Sequence, residues 1–310
     1  APNVGYRMHW PGCEDLRIDW AWSHYQTAMH RLDWLDDDSI PHLNLITGTE
    51  IFAEAFGCEI ERPEDNMPFA KPMVFSVEQA EAITTPRLED TPLMRQFAVA
   101  DTLRDRAGED ALLRMVDVQS PMDIAALIWE KAEMLMAMID SPDAVQRLAA
   151  KVRMLLVAFL DEWFERYDTD FIAHYPDYYM PRGLTLSEDE VGAVNTEMFE
   201  SLFLPELNEL SQRYGGLGMH CCADSQHQWS AFKKIQGLRL LNLVRPDDQY
   251  PDAFREFASH VPQFHNWRGQ GDPWTWPDQL PEGVRAVLEV PVESKDEAIE
   301  VAAKMRRAVG

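Results

Sequence analysis

The sequence predicts an α/β fold, a (β/α)8 TIM barrel with an N-terminal helical and loop extension, on three observations. The chain has 310 residues, the size of one such barrel with an extension rather than of a single sandwich or bundle. From about residue 110, short apolar runs alternate with helical segments, the rhythm of a parallel sheet. The apolar runs also end in residues able to do chemistry: Asp117 or Gln119, His174, His220, Asn242, His265 and Glu289. A doubly wound sheet shares the first two features. The third favours a barrel, in which strand ends converge on one face.

Residues 1–80 are rich in Trp, Pro and His and have little clean periodicity, so they read as an extension packed on a barrel of residues 81–310, one structural domain overall. Within the extension, Thr47–Gly57 fits a short capped helix with Gly57 just past its end; Glu50 near its start is a candidate substrate contact. Ala111–Val118 is the first strand in the alternating region, followed by polar Gln119 and Ser120 and then a helix from Pro121 to Met138. Ser141 is an N-cap with Pro142 in the first turn. Behind it Val145, Leu148, Val152, Leu155, Phe159 and Trp163 recur at spacings of three and four, one buried helical face. Phe171–Ala173 is a strand, and Asn195–Arg213 a helix that Pro205 kinks or splits. Further strands fall at Leu217–Met219, Leu238–Val244, Val261–Phe264 and Val284–Val290, and Asp296–Arg307 closes as an amphipathic helix.

Composition narrows the function. Hydrophobic residues make up 46% and charged residues 26%, ordinary for a soluble enzyme. No apolar run approaches the roughly 18 residues a membrane span requires. With 28 Lys and Arg against 53 Asp and Glu the net charge is −25, which repels phosphate backbones and anionic membranes and argues against both as partners. The four cysteines, two of them adjacent, read as reduced thiols. With no secretory signal visible, the expectation is a cytoplasmic protein acting on a small molecule. The oligomeric state stays open, a homodimer being one expectation.

The segment Gly215–Asp224 is the most informative. Strand alternation sends His220 and Cys222 to one side and Cys221 to the other, and imidazole plus thiolate is a zinc-type pair. A catalytic zinc takes three protein ligands, with His227, His174 and Glu289 as candidates for the third. The alternative is that the cysteines are buried small hydrophobes and His220 is hydrogen-bonded in the core. The loop His174–Gly183, carrying Tyr178 and Arg182, could grip an anionic or aromatic substrate, or be a rigid Pro-bounded loop. The run Ser187-Glu188-Asp189-Glu190 could supply a general acid or base, or a cation ligand; such a run also commonly starts a helix. Asp117, Gln119 and Asp123 flank the first strand end and could orient a ligand. The stretch from His265 to Gly269, with Trp274 and Trp276, suits an aromatic wall or surface packing. Dinucleotide, P-loop, nucleophile-elbow and Cys-x-x-Cys motifs are absent.

The stretch Val116-Asp117-Val118-Gln119-Ser120-Pro121-Met122-Asp123-Ile124-Ala125-Ala126-Leu127-Ile128-Trp129 and the later Ser141-Pro142-Asp143-Ala144-Val145 resemble the uroporphyrinogen decarboxylase superfamily. So do Gly183–Asp189, Met198-Phe199 and Leu204-Pro205, and the resemblance runs from about residue 40 to residue 307. It implies the barrel and two kinds of chemistry. Cobamide-dependent methyltransferases of this superfamily carry a His-x-Cys zinc pair where His220 and Cys222 stand; their third ligand is a Cys near the last strand, a place where this chain offers only Glu289. That branch implies zinc, a corrinoid co-substrate borne by a corrinoid protein, and methyl transfer to a thiol. Decarboxylases act without a cofactor, and His174, Tyr178, Asp117 and Arg182 would then bind and protonate a carboxylated, tetrapyrrole-like substrate. Their Arg-rich N-terminal signature is not recognisable in residues 1–40. A non-catalytic corrinoid, porphyrin or metal carrier is a third expectation.

Overall fold

A computed structural model describes residues 5–310. The helices, in chain order, are α1 (Glu14–Arg31), α2 (Ile51–Ala55), α3 (Val77–Ala82), α4 (Met94–Ala107), α5 (Pro121–Ile128), α6 (Lys131–Asp140), α7 (Pro142–Tyr167), α8 (Thr196–Met198), α9 (Leu204–Tyr214), α10 (Trp229–Phe232), α11 (Tyr250–Phe257) and α12 (Lys295–Val309). The strands are β1 (Ile60–Glu61), β2 (Phe69–Ala70), β3 (Phe171–Ile172), β4 (Tyr179–Met180), β5 (Leu184–Ser187), β6 (Leu217–Cys221) and β7 (Leu238–Leu243). The antiparallel pair β1–β2 is peripheral to the main arrangement, while β3 pairs antiparallel with β4 and also joins that arrangement through Ile172.

That arrangement is parallel throughout. Leu43 pairs with Leu113, Arg114 with Ile172, Gln119 with Ser187, β5 with β6, β6 with β7, Leu241 with Gln263, and Gln263 with Ala286. Segments at Leu43, Leu113–Gln119, β5, β6, β7, Gln263 and Ala286 thus follow one another in sequence order, and β3 pairs with the same Leu113–Gln119 run as β5. The longest continuous ladder is the sheet β5–β6–β7. Among the described residues no pairing joins Ala286 back to Leu43, so the observed architecture is mixed α/β around a parallel series. The series opens at Leu43, inside the stretch that the sequence assigns to the extension.

The core explains the order of elements. On α7 the expected residues Val145, Leu148, Val152, Leu155, Phe159 and Trp163 are all buried, and Phe159 meets Phe52 edge-on, at 5.4 Å between ring centres. Gly215, at φ +80, ends α9 and turns the chain into β6. Gly218 lies where three strands come close: a Cβ there would stand 2.8 Å from Thr185 Cγ2 and 3.2 Å from Leu240 Cβ. At the far end of the chain, α12 returns to the N-terminal region. Arg306 pairs with Asp36 at 2.8 Å and Asp38 at 3.4 Å, and Lys295 stands 4.6 Å over the Trp34 ring.

Several expectations change: the strands expected at Ala111–Val118, Val261–Phe264 and Val284–Val290 are reduced to isolated bridged residues, Leu113, Arg114, Gln263 and Ala286. The helix read from Pro121 to Met138 is two helices, because Trp129 pairs with Val74 and the Glu130 N–H goes to the Val74 carbonyl, which breaks the helical ladder. The helix expected at Asn195–Arg213 is divided: a wide turn at Phe199–Phe203 separates α8 from α9, which takes Pro205 in its first turn, where its missing N–H costs nothing. The helix expected at Thr47–Gly57 shrinks to α2.

Candidate functional site

The C-terminal ends of the parallel segments open onto a cavity of about 450 Å³. Asp117 and Gln119 reach it from the Leu113–Gln119 run, His174 and Tyr175 from just after β3, Ser187 and Asp189 from the end of β5, and His220 and Cys222 from β6. Parallel strands deliver their ends to one face in this way.

His220 is held in one tautomer. Its Nδ1 lies 2.6 Å from Oδ1 of Asn242, its register partner on β7. The Asn242 amide nitrogen donates to the Phe264 carbonyl, which can only accept. Asn242 therefore turns its oxygen to His220, so Nδ1 carries the proton and Nε2 keeps a free lone pair. The Tyr175 ring stands edge-on to the imidazole, 4.9 Å between centres.

Cys222 is exposed and gives its thiol proton to Asp189 Oδ2 at 3.0 Å, while its N–H donates to Oδ1 at 2.6 Å. Burial of the sulfur, then the hydrogen bond to Asp189 and its charge, push the thiol up to about 12. Left to itself it stays protonated at neutral pH and is a poor nucleophile. Cys221 points the other way, buried with its sulfur 3.4 Å from Ser225, as the alternation of β6 requires.

Asp189, His220 and Cys222 each bring a donor atom within 4.8 Å of the other two. Zinc bonds of about 2.0–2.3 Å set tetrahedral ligand atoms roughly 3.3–3.8 Å apart, so modest side-chain rotations bring these three into place. The donor set of carboxylate, imidazole and thiol suits zinc, and a cation between Cys222 and Asp189 would take the place of the shared proton.

Behind this group lies a buried acid pair. Asp123 accepts the Asp189 N–H on both oxygens, at 3.0 and 2.8 Å, and the Glu190 N–H at 2.9 Å. Glu188 is fully buried beside it, next to Ser120. Burial, and then the Asp123 charge, raise Glu188 well above the carboxylate range. The backbone donors favour the charge on Asp123, so the proton of the pair resides on Glu188.

The remaining expected site residues divide. Asp117 lines the cavity with one oxygen buried and unpartnered; burial lifts it to about 6, against the pull of Arg114. Gln119 lines it too. His174 does so with both ring nitrogens on hydroxyls, Thr185 at 3.1 Å and Ser187 at 3.0 Å, and burial keeps it neutral. Asn242 stands one layer behind. His265 is buried between the Leu243 N–H and Gln263, driven down to about 3 by burial, and does not face the cavity. Tyr178 packs on the main core. Arg182 is exposed near Gly215, at the opposite end of β6. Glu50 lies by a separate pocket of about 20 Å³ that also includes Arg17, Arg62 and Arg95. Glu289 is exposed and outside the cavity; of the acidic side chains, it is Asp189 that lies beside His220 and Cys222. His227 bonds the Val194 carbonyl at 2.9 Å. Sequence reasoning passed over Arg114, whose charge interrupts the apolar run Ala111–Val118; its Nε donates to the His174 carbonyl at 2.8 Å and it pairs with Asp177 at 3.3 Å.

The family model for Uroporphyrinogen decarboxylase (URO-D) matches residues 43–248. Among solved structures, a methyltransferase from Methanosarcina mazei is similar with a TM-score of 0.69 at 10% sequence identity, over 96% of this chain and 86% of that one. At that identity the likeness speaks for the fold. No curated protein sequence matches significantly.

Proposed function

The chain belongs to the uroporphyrinogen decarboxylase family, and from that premise we propose that it is a zinc-dependent methyltransferase acting on a thiol, with a corrinoid, carried by a corrinoid protein, as co-substrate. The observation that carries the reading is the convergence of Asp189, His220 and Cys222 within 4.8 Å at a cavity rim. Zinc held there would, when bound, lower the pKa of a substrate thiol and so ready its sulfur for a methyl group. The protein's own contributions are positional. Asn242 accepts from His220 Nδ1 and so leaves Nε2 as the ring nitrogen for the metal, and Asp189 takes the carboxylate place. Asp117, which changes protonation near pH 6, is the cavity carboxyl able to take up a substrate proton. On this reading the parallel series closes as a (β/α)8 barrel with its seam between the Ala286 and Leu43 segments.

Metal-free decarboxylation of a carboxylated tetrapyrrole finds less support. Such a substrate needs cations for its carboxylates. Among the described residues Arg114 is the sole Lys or Arg side chain lining the cavity, and it is already engaged by Asp177 and the His174 carbonyl.

Protein purified without added metal or a metal-binding tag should carry zinc at about one per chain. Cys222→Ser should lower zinc affinity by more than the 10–100-fold typical of changes behind the ligands. Metal-free protein that is folded and refuses zinc on titration would end the reading. Turnover of methylcobalamin with a panel of thiols separates the enzyme from a binding protein.

A further inference from the structure

We infer that Asp123 is a positioning residue, which sets the Asp189 carboxylate against Cys222 and His220 by clamping the backbone at Asp189–Glu190. The inference deepens the metal reading above and rests on the same three side chains, but its geometry stands without a metal. Asp123 sits in the first turn of α5, its own N–H capped by Ser120 Oγ at 3.0 Å. Its carboxylate is buried and spends both oxygens on the N–H groups of Asp189 and Glu190. Asp189 is thus gripped from behind through its backbone while its side chain holds Cys222 by two hydrogen bonds in front.

No other side chain of the described residues accepts a hydrogen bond from the Asp189 N–H, so the clamp is specific to Asp123. Glu188, the residue before Asp189, is tied through its N–H to the His220 carbonyl at 2.9 Å, which fixes the same turn to β6. Carboxylate is the chemistry the place demands. It accepts at both oxygens, whereas an amide would face one N–H with a donor of its own.

The test reads Cys222 directly. Chelator-treated protein is alkylated with iodoacetamide, and the Cys222 peptide is followed by mass spectrometry in the wild type, Asp123→Asn, Asp189→Asn and the double variant. Asp189→Asn removes the carboxylate beside the thiol and should speed alkylation about tenfold. Asp123→Asn should speed it by a similar factor, and the double variant should be no faster than Asp189→Asn alone, because both changes act through one carboxylate. Glu188→Gln leaves the Asp123 clamp on the Asp189 and Glu190 N–H groups in place and should leave the rate within about twofold of wild type. Should Asp123→Asn fail to fold, as judged by circular dichroism, Asp123→Ser takes its place. An unchanged rate in the Asp123 variant, or accelerations that multiply in the double variant, overturns the inference. Cobalt(II) titration of the same four proteins is read separately. If the wild type takes up no cobalt and shows no sulfur-to-metal charge-transfer band, the metal reading fails while the alkylation result still decides the role of Asp123. If the wild type binds, Asp123→Asn should weaken binding 10–100-fold and lose that further effect in the Asp189→Asn background.

Discussion

Asp117 couples the cavity to pH. Its carboxyl rises from 3.8 to about 6, chiefly through burial. Between those values the folded protein holds a proton that the unfolded chain releases, so this group's contribution to stability declines as pH rises from about 4 to 6 and is flat above. Asp117→Asn should accordingly raise the unfolding free energy at pH 7 by on the order of 1–3 kcal/mol and give little gain at pH 4. Urea denaturation at the two pH values checks this, and equal effects at both would exclude the burial argument. The residues visible in the sequence were those at the ends of apolar runs: Asp117, Gln119, His174 and His220, with Cys222 two places on. Asp189 was visible too, within an acidic run, but nothing in its spacing ties it to Cys222, because that bond crosses from β5 to β6. Glu289 and Arg182 share the signal of a polar residue near a strand end, yet both side chains lie on the surface.

At the scale of elements, the close approach of β5, β6 and β7 holds the site together. Gly218→Ala would force a Cβ to within 2.8 Å of Thr185 and 3.2 Å of Leu240, with no flexible side-chain end to yield on the Leu240 side. The variant should lose about 1–3 kcal/mol of stability, measured by denaturant unfolding, and should shift His220, two residues along the same strand. A variant as stable as wild type would mean that the sheet spreads at little cost. Elements with a one-sided pattern were legible, α7 above all. β5 was not: Leu184, Thr185, Leu186 and Ser187 alternate apolar and polar over only four residues, too short a run to stand out, and the structure buries all four. Nor was the break between α5 and α6, which is imposed by a backbone pairing with Val74, a residue far away in sequence.

At the scale of the molecule, a net charge of −25 sets the response to salt. At about 10 mM salt the screening length is near 30 Å, so most carboxylates on the molecule repel one another; at about 100 mM it is near 10 Å. The excess of acidic over basic groups outweighs the exposed ion pairs, each worth little. The melting temperature should therefore rise by several degrees over that range, as read by calorimetry, and a fall would mean that the ion pairs dominate. Among the described residues no helix is long and apolar enough to cross a membrane. The contact of Arg306 with Asp36 and Asp38 has a bearing on biosynthesis. Arg306 is made 270 residues after Asp36, so the segment near Asp36 must wait for the intervening chain to be translated before this contact forms. Docking of this segment on α12 therefore comes after synthesis of the parallel series that lies between them.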